Sequence, residues 1–211
     1  MRKRCLPPSK PQMADASACV QATLVPRALF SDPPDVVARK LLGKLLVRAG
    51  EPIVGRIVEV EAYFGERDPA AHSFAGKTAR NAVLFGPPGH AYVYLSYGMH
   101  DCMNIVAEPA GKPGCVLIRA LEPLEGLDVM RTRRLRARTD RDLTSGPGKL
   151  TRALGITRKH TGVDLTRGDL VVLSRSPAPT FEIAVTPRIG IVKCADLPLR
   201  FFIQGNKFVS R

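Results

Sequence analysis

A chain of 211 residues, 45% hydrophobic and 24% charged, can bury one core; these values exclude a fibrous or wholly disordered protein. No apolar run reaches the ~18 residues of a membrane span, and five cysteines without a CxxC pair exclude a disulfide framework and a zinc cluster. The net charge of +13 points to a polyanionic partner, nucleic acid first.

Residues 1–27 read as a basic, weakly ordered arm, with Pro7, Pro8, Pro11 and Pro26 and no periodicity. Met1-Arg2-Lys3-Arg4 resembles the start of a secretory leader, but a Pro-rich polar stretch follows, so no leader is expected. The arm holds only five of the Lys/Arg residues and one acid, so the domain expected over residues 28–211 is itself basic.

Ser31-Asp32-Pro33-Pro34 predicts a helix start, with Ser or Asp as the cap. Val36, Val37, Leu41 and Leu42 form its apolar face, and Gly43 its end. Leu45–Val47 and Ile53–Tyr63 predict a hairpin around 49–52. Short helical turns are expected over 68–85. A second hairpin follows, His90–Ser96 and Cys102–Val106, with Tyr97-Gly98-Met99-His100 between its arms. Cys115–Ala120 reads as a strand, Leu124–Arg136 as an Arg-rich helix and Pro147–Leu154 as a short helix. Leu170–Leu173, Ile183–Val185, Ile189–Val192 and Leu199–Ile203 read as further strands. This order predicts a single α+β domain whose curved, mostly antiparallel sheet is flanked by helices.

All four tyrosines (63, 92, 94 and 97) and three of the four histidines (72, 90 and 100) fall within residues 63–100. Either they line one pocket that is aromatic and polar at once, or they pair across a Tyr-rich hairpin. On Ile53–Tyr63, period-two alternation puts Ile57, Glu59, Glu61 and Tyr63 on one face. Two carboxylates in an apolar strand are either an exposed face paired with Arg56 or Arg119, or a general base beside a cleft. Spacing does not rank Glu59 against Glu61. Tyr97 at a hairpin tip suits a wedge entering a DNA groove, or a dimer contact. The arginines at 131, 133, 134, 136, 138 and 141 form a solvated face or contact phosphate. Ser145-Gly146-Pro147-Gly148-Lys149 lacks the first Gly and the Ser/Thr of a P-loop, which excludes triphosphate binding; one phosphate at the helix start is compatible with it. No metal-ligand spacing occurs among the histidines.

Several blocks together resemble the alkyladenine (3-methyladenine) DNA glycosylase family. They are Gly55–Tyr63, Ala71-His72-Ser73, Tyr92–Asn104, Val116–Gly126, Ser145–Leu150, Leu199–Phe201 and Val209-Ser210. The resemblance implies a monofunctional DNA repair enzyme that flips alkylated or deaminated purines out of double-stranded DNA and hydrolyses their N-glycosyl bond. It implies no metal or cofactor, no membrane and a monomer, in the bacterial cytoplasm and nucleoid or in a nucleus. By position, Glu61 is the implied general base, and Arg119 holds that carboxylate and its water. Tyr63 and His72 are the implied walls around the flipped base, with Tyr94 a further pocket aromatic. Asn104 would crowd the 2-amino group of normal guanine. Tyr97, with Met99 beside it, would fill the gap in the duplex. Lys149, Arg131 and Arg134 are candidate backbone contacts. His100-Asp101 departs from the pattern, and an acid there would face phosphates unfavourably. The competing readings are a non-catalytic damaged-DNA-binding protein and a hydrolase of free nucleosides.

Overall fold

The run Ile53–Tyr63 forms the strand around which the molecule is assembled, because it pairs with its hairpin partner 45–48 and with the distant runs 114–125 and 200–203. The computed structural model describes residues 21–210. In chain order these form β1 (Gln21–Leu24), α1 (Pro34–Leu41), β2 (Leu45–Arg48), β3 (Ile53–Tyr63), β4 (Ala91–Ser96), β5 (His100–Ala107) and β6 (Gly114–Glu125). There follow α2 (Leu127–Arg133), α3 (Asp140–Thr144), α4 (Pro147–Leu154), β7 (Leu170–Ser176), β8 (Ile183–Thr186) and β9 (Arg200–Ile203). The strands join in one unclosed sheet of order β1-β7-β2-β3-β6-β5-β4, with β9 on β3 and β8. All of these pairings are antiparallel, which makes the fold α+β as expected. Among the described residues no helix is long and apolar enough to cross a membrane.

α1 buries Val37, Ala38 and Leu41 against the sheet, and its Asp35 and Arg39/Lys40 sit at the ends that suit the helix dipole. The expected Ser/Asp cap is not used. Pro33 occupies the cap position, and Asp32 instead forms an ion pair with Lys40. Gly43 has φ +78°, and a Cβ there would lie 2.7 Å from the Phe181 ring, so this helix end needs glycine.

Four expectations change. Residues 21–27, read as part of the arm, dock on the sheet: β1 pairs with β7, Val25 is buried and Arg27 bonds to Asp164 at 2.6 Å. Residues 1–20 lie outside the described residues. The Arg-rich helix is shorter than Leu124–Arg136, because β6 runs on to Glu125 and left-handed Gly126 intervenes. The capping box of Thr139 and Asp142 starts α3, which the charge run concealed. Ile189–Val192 is no strand but part of the loop between β8 and β9, where Val192 is 95% exposed.

The single-face reading of β3 also breaks. Register shifts between Ile57 and Val60 mark bulges opposite Arg119. Ile57 joins Val58, Val60 and Ala62 in the main apolar cluster, with Phe30, Leu41, Ile105 and Ile118. Glu59, Glu61 and Tyr63 are turned to polar partners.

Candidate active site

β3 and β6 present Glu61, Tyr63 and Arg119 to a pocket of about 470 Å³, with Glu59 behind Arg119. Glu61, Tyr63, His72, Tyr92, Tyr94, Asn104 and Arg119 line it, as do Arg80, Pro147 and Ile189–Ile191, which the sequence reading did not anticipate. Tyr97 reaches its rim. The aromatic cluster between 63 and 97 therefore converges on one cavity. His90 and His100 lie apart, one hydrogen-bonded to the Pro87 carbonyl and the other packed where a Cβ on Gly148 would touch it.

The two glutamates differ in what surrounds them. Glu59 accepts four hydrogen bonds: from Arg119 Nε at 3.0 Å, Arg200 Nε at 2.7 Å, Ser210 Oγ at 2.8 Å and the Ser210 amide at 2.6 Å. A carboxylate has about four acceptor sites, so Glu59 is saturated. Glu61 accepts from the Tyr63 hydroxyl at 2.9 Å and the Ile189 amide at 2.7 Å, and Arg119 Nη1 lies 3.1 Å from its Oε1. Among the described residues its Oε2 accepts only the Tyr63 bond, on the side that borders the cavity. Both side chains are fully buried, but only Glu61 borders the cavity. Arg56, the other candidate partner, pairs with Glu122 instead.

Burial disfavours the Arg119 charge, but the Glu61 and Glu59 carboxylates outweigh it and hold its pKa above the ordinary arginine value. Burial, reinforced by the Glu61 charge, pushes the Tyr63 phenol far above its usual range, so Tyr63 remains a donor. Burial and the Arg80 charge pull His72 below the ordinary imidazole value, so it is neutral near pH 7. Its Nδ1 lies 3.0 Å from the Tyr92 hydroxyl. The His72 and Tyr94 rings meet edge-on at 4.3 Å between centroids, and Tyr92 stacks on Tyr94 at 5.6 Å. Asn104 donates to the Tyr92 carbonyl at 3.3 Å and accepts from the Cys115 thiol at 3.7 Å. Burial pushes that thiol up to about 12, so it keeps its proton.

The β4–β5 turn has Tyr97 at φ +48° and Gly98 at φ +68°, with the Met99 amide donating to the Ser96 carbonyl at 3.0 Å. Two consecutive positive φ values mark a type I′ hairpin turn. A bulky residue in the first of these positions is strained by about 1–2 kcal/mol. Tyr97 is 84% exposed and Met99 72% exposed, so the tip is apolar and open to solvent. Asp101, beside it, is paired with Arg158 at 3.4 Å, which offsets its charge.

The three candidate backbone contacts are not alike. Lys149 stands in the first turn of α4, next to pocket-lining Pro147, and no ion pair engages it among the described residues. Arg131 is bound to Asp128 and Asp140, each at 2.8 Å. Arg134 donates to the Asp142 carbonyl at 3.1 Å and is partly buried. Among the described residues no cluster of metal-binding side chains occurs.

A family model for methylpurine-DNA glycosylase matches residues 28–207. A Burkholderia cenocepacia protein is 52% identical over 190 residues, covering 89% of this chain and 91% of its own length. Relatives in Carboxydothermus hydrogenoformans (48% over 191 residues; 89% and 99%) and Methanoculleus marisnigri (51% over 193; 89% and 98%) cover as much. All three are provisionally named 3-methyladenine DNA glycosylases. With that match over most of its length, the chain belongs to the methylpurine-DNA glycosylase family.

Proposed function

We propose that this enzyme excises alkylated or deaminated purines, the 3-methyladenine class, from duplex DNA by base flipping, and leaves an abasic site. The observation that carries this reading is Glu61: a carboxylate with one oxygen free to accept, at the floor of an aromatic pocket, held by Arg119 and Tyr63. Chemistry at a sugar carbon of a stacked nucleotide requires its extrusion, which costs a few kcal/mol. An apolar tip of Tyr97 and Met99 suits filling the gap, and stacking on aromatic rings returns about 1–3 kcal/mol per base.

The steps then follow from the groups present. Tyr63 and His72 hold the extruded purine between them, and Tyr94 borders it. A water on Glu61 Oε2 attacks C1′ as the C1′–N bond to the purine breaks. The bond's electron pair leaves with the base, and the water's proton passes to Glu61. The carboxylate also stabilises the oxocarbenium-like sugar. Arg119 holds the Glu61 carboxylate in place and is itself balanced by Glu59. A positively charged alkylated purine departs as a neutral molecule and so leaves readily. Asn104 is fixed through Tyr92 and Cys115, which supports its reading as the side chain that crowds the 2-amino group of normal guanine. Among the described residues no lysine lines the pocket, which supports hydrolysis without a Schiff base or strand cleavage. The protein acts as a monomer, with Lys149 on a phosphate.

The test is base release from duplexes carrying ethenoadenine or hypoxanthine, and from methylated DNA, with alkali cleaving the resulting abasic sites. Release by wild type and none by Glu61→Gln is expected. Tight lesion binding without release would instead make this a damaged-DNA-binding protein, and equal release by both would remove Glu61 from the mechanism.

A further inference from the structure

We propose that Arg188, through its buried pair with Asp68, is a positioning residue that sets Glu61 and one wall of the pocket; this rests on the reading of Glu61 as the base. The Arg188 side chain is fully enclosed and Asp68 nearly so. Its Nη1 donates to Asp68 Oδ2 at 2.5 Å and to the Ala62 carbonyl at 3.0 Å, while Nη2 donates to Asp68 Oδ1 at 3.0 Å. The guanidinium lies over the Tyr63 ring, 4.5 Å from its centroid.

One side chain therefore grips both routes to Glu61. Ala62 joins Glu61 to Tyr63 in the chain, and the Tyr63 hydroxyl donates to Glu61. The residue after Arg188 is Ile189, whose amide is the other hydrogen-bond donor to Glu61. Asp68 also accepts from the amides of Phe64 and Ala70, closing the turn that leads to His72. Stability alone does not require this arrangement. Among the described residues Arg188 Nε is buried without a partner, and apolar side chains of similar volume commonly replace such pairs without loss. What they cannot supply is a flat cation against one face of Tyr63, leaving the other face for a base, and a fork on the Ala62 carbonyl. The charged and titratable groups around Glu61 are Tyr63 on β3, Tyr94 on β4, Arg119 on β6 with Glu59 beyond it, and Arg188.

The experiment measures single-turnover purine release from methylated duplex DNA across pH, with duplex affinity and melting temperature, for wild type, Arg188→Lys and the double variant Arg188→Met/Asp68→Leu. Duplex affinity should hold, and release by the double variant should fall about 100-fold, as expected of a misplaced catalytic group. The acidic limb of the pH profile should move, because the Tyr63 and Ile189 donors that orient Glu61 are displaced. Arg188→Lys keeps the charge without the planar fork and should fall between. Wild-type rate and limb in a folded variant would overturn the proposal. So would a slower rate with an unmoved limb, the mark of general loosening. Should the double variant not fold, Arg188→Lys decides by the same two criteria. A wild type that releases no base would instead overturn the glycosylase reading, and this inference with it.

Discussion

Glu59 and Glu61, two residues apart on one strand, share a single guanidinium, 3.0 Å and 3.1 Å from Arg119, yet only Glu61 borders the cavity. The first is locked by Arg200 and Ser210, and the second has one oxygen bonded only by the Tyr63 hydroxyl among the described residues.

The two glutamates should therefore fail in opposite ways when substituted. Glu61→Gln should lower base release by about 10²–10⁴-fold, the usual worth of a general base, with duplex binding retained. Glu59→Ala leaves two buried arginines short of a partner. It should lower the melting temperature by on the order of 10 °C, from about 3–5 kcal/mol of lost stability. Thermal melts beside release assays separate the two. A stable Glu59→Ala protein would show that the Ser210 lock carries little.

Tyr97 sits in a left-handed position at the hairpin tip. Tyr97→Asn creates the Asn-Gly pair that type I′ turns favour, and should raise stability by about 1 kcal/mol. The same change removes the wedge and should slow excision from duplex DNA by on the order of 10-fold, a part of the flipping cost. A variant both more stable and as active would show that the strain serves nothing.

His72 has its pKa lowered, first by burial and then by the Arg80 charge. A depressed folded pKa gives stability that is present above the unfolded value of about 6.5 and lost as pH falls through it. Melting temperatures of wild type should decline from pH 7 toward pH 5, and His72→Asn should decline less. Parallel curves would mean that His72 remains solvated.

Lys149 and Arg131 should separate by salt dependence. Removing an unpaired phosphate contact reduces the slope of log K against log salt by about 1. Lys149→Ala should show this change, and Arg131→Ala should not, since Asp128 and Asp140 already engage Arg131. Titration of a damaged duplex at several salt concentrations reads both.

The sequence by itself determined what depends on neighbours in the chain. The reading of Ile53–Tyr63 as a hairpin arm placed β3 at its observed bounds, Pro147–Leu154 matched α4, and Tyr97-Gly98 fell in the turn between two arms. The crowding of Tyr and His into residues 63–100 left a pocket or a Tyr-rich hairpin open, and the resemblance singled out Glu61. Tertiary structure alone decided what depends on contacts across the sheet. The bulges opposite Arg119 moved Ile57 into the core and left Glu59 and Glu61 facing one cation. Glu59 is covered by Ser210, 151 positions away, and the amide reaching Glu61 comes from Ile189, 128 positions away, in a segment whose β-branched residues read as a strand. The physical reason is the same in each case. A backbone amide carries no signal in the residue type, and whether a buried carboxylate is saturated or free depends on which distant donors the fold brings within hydrogen-bond reach.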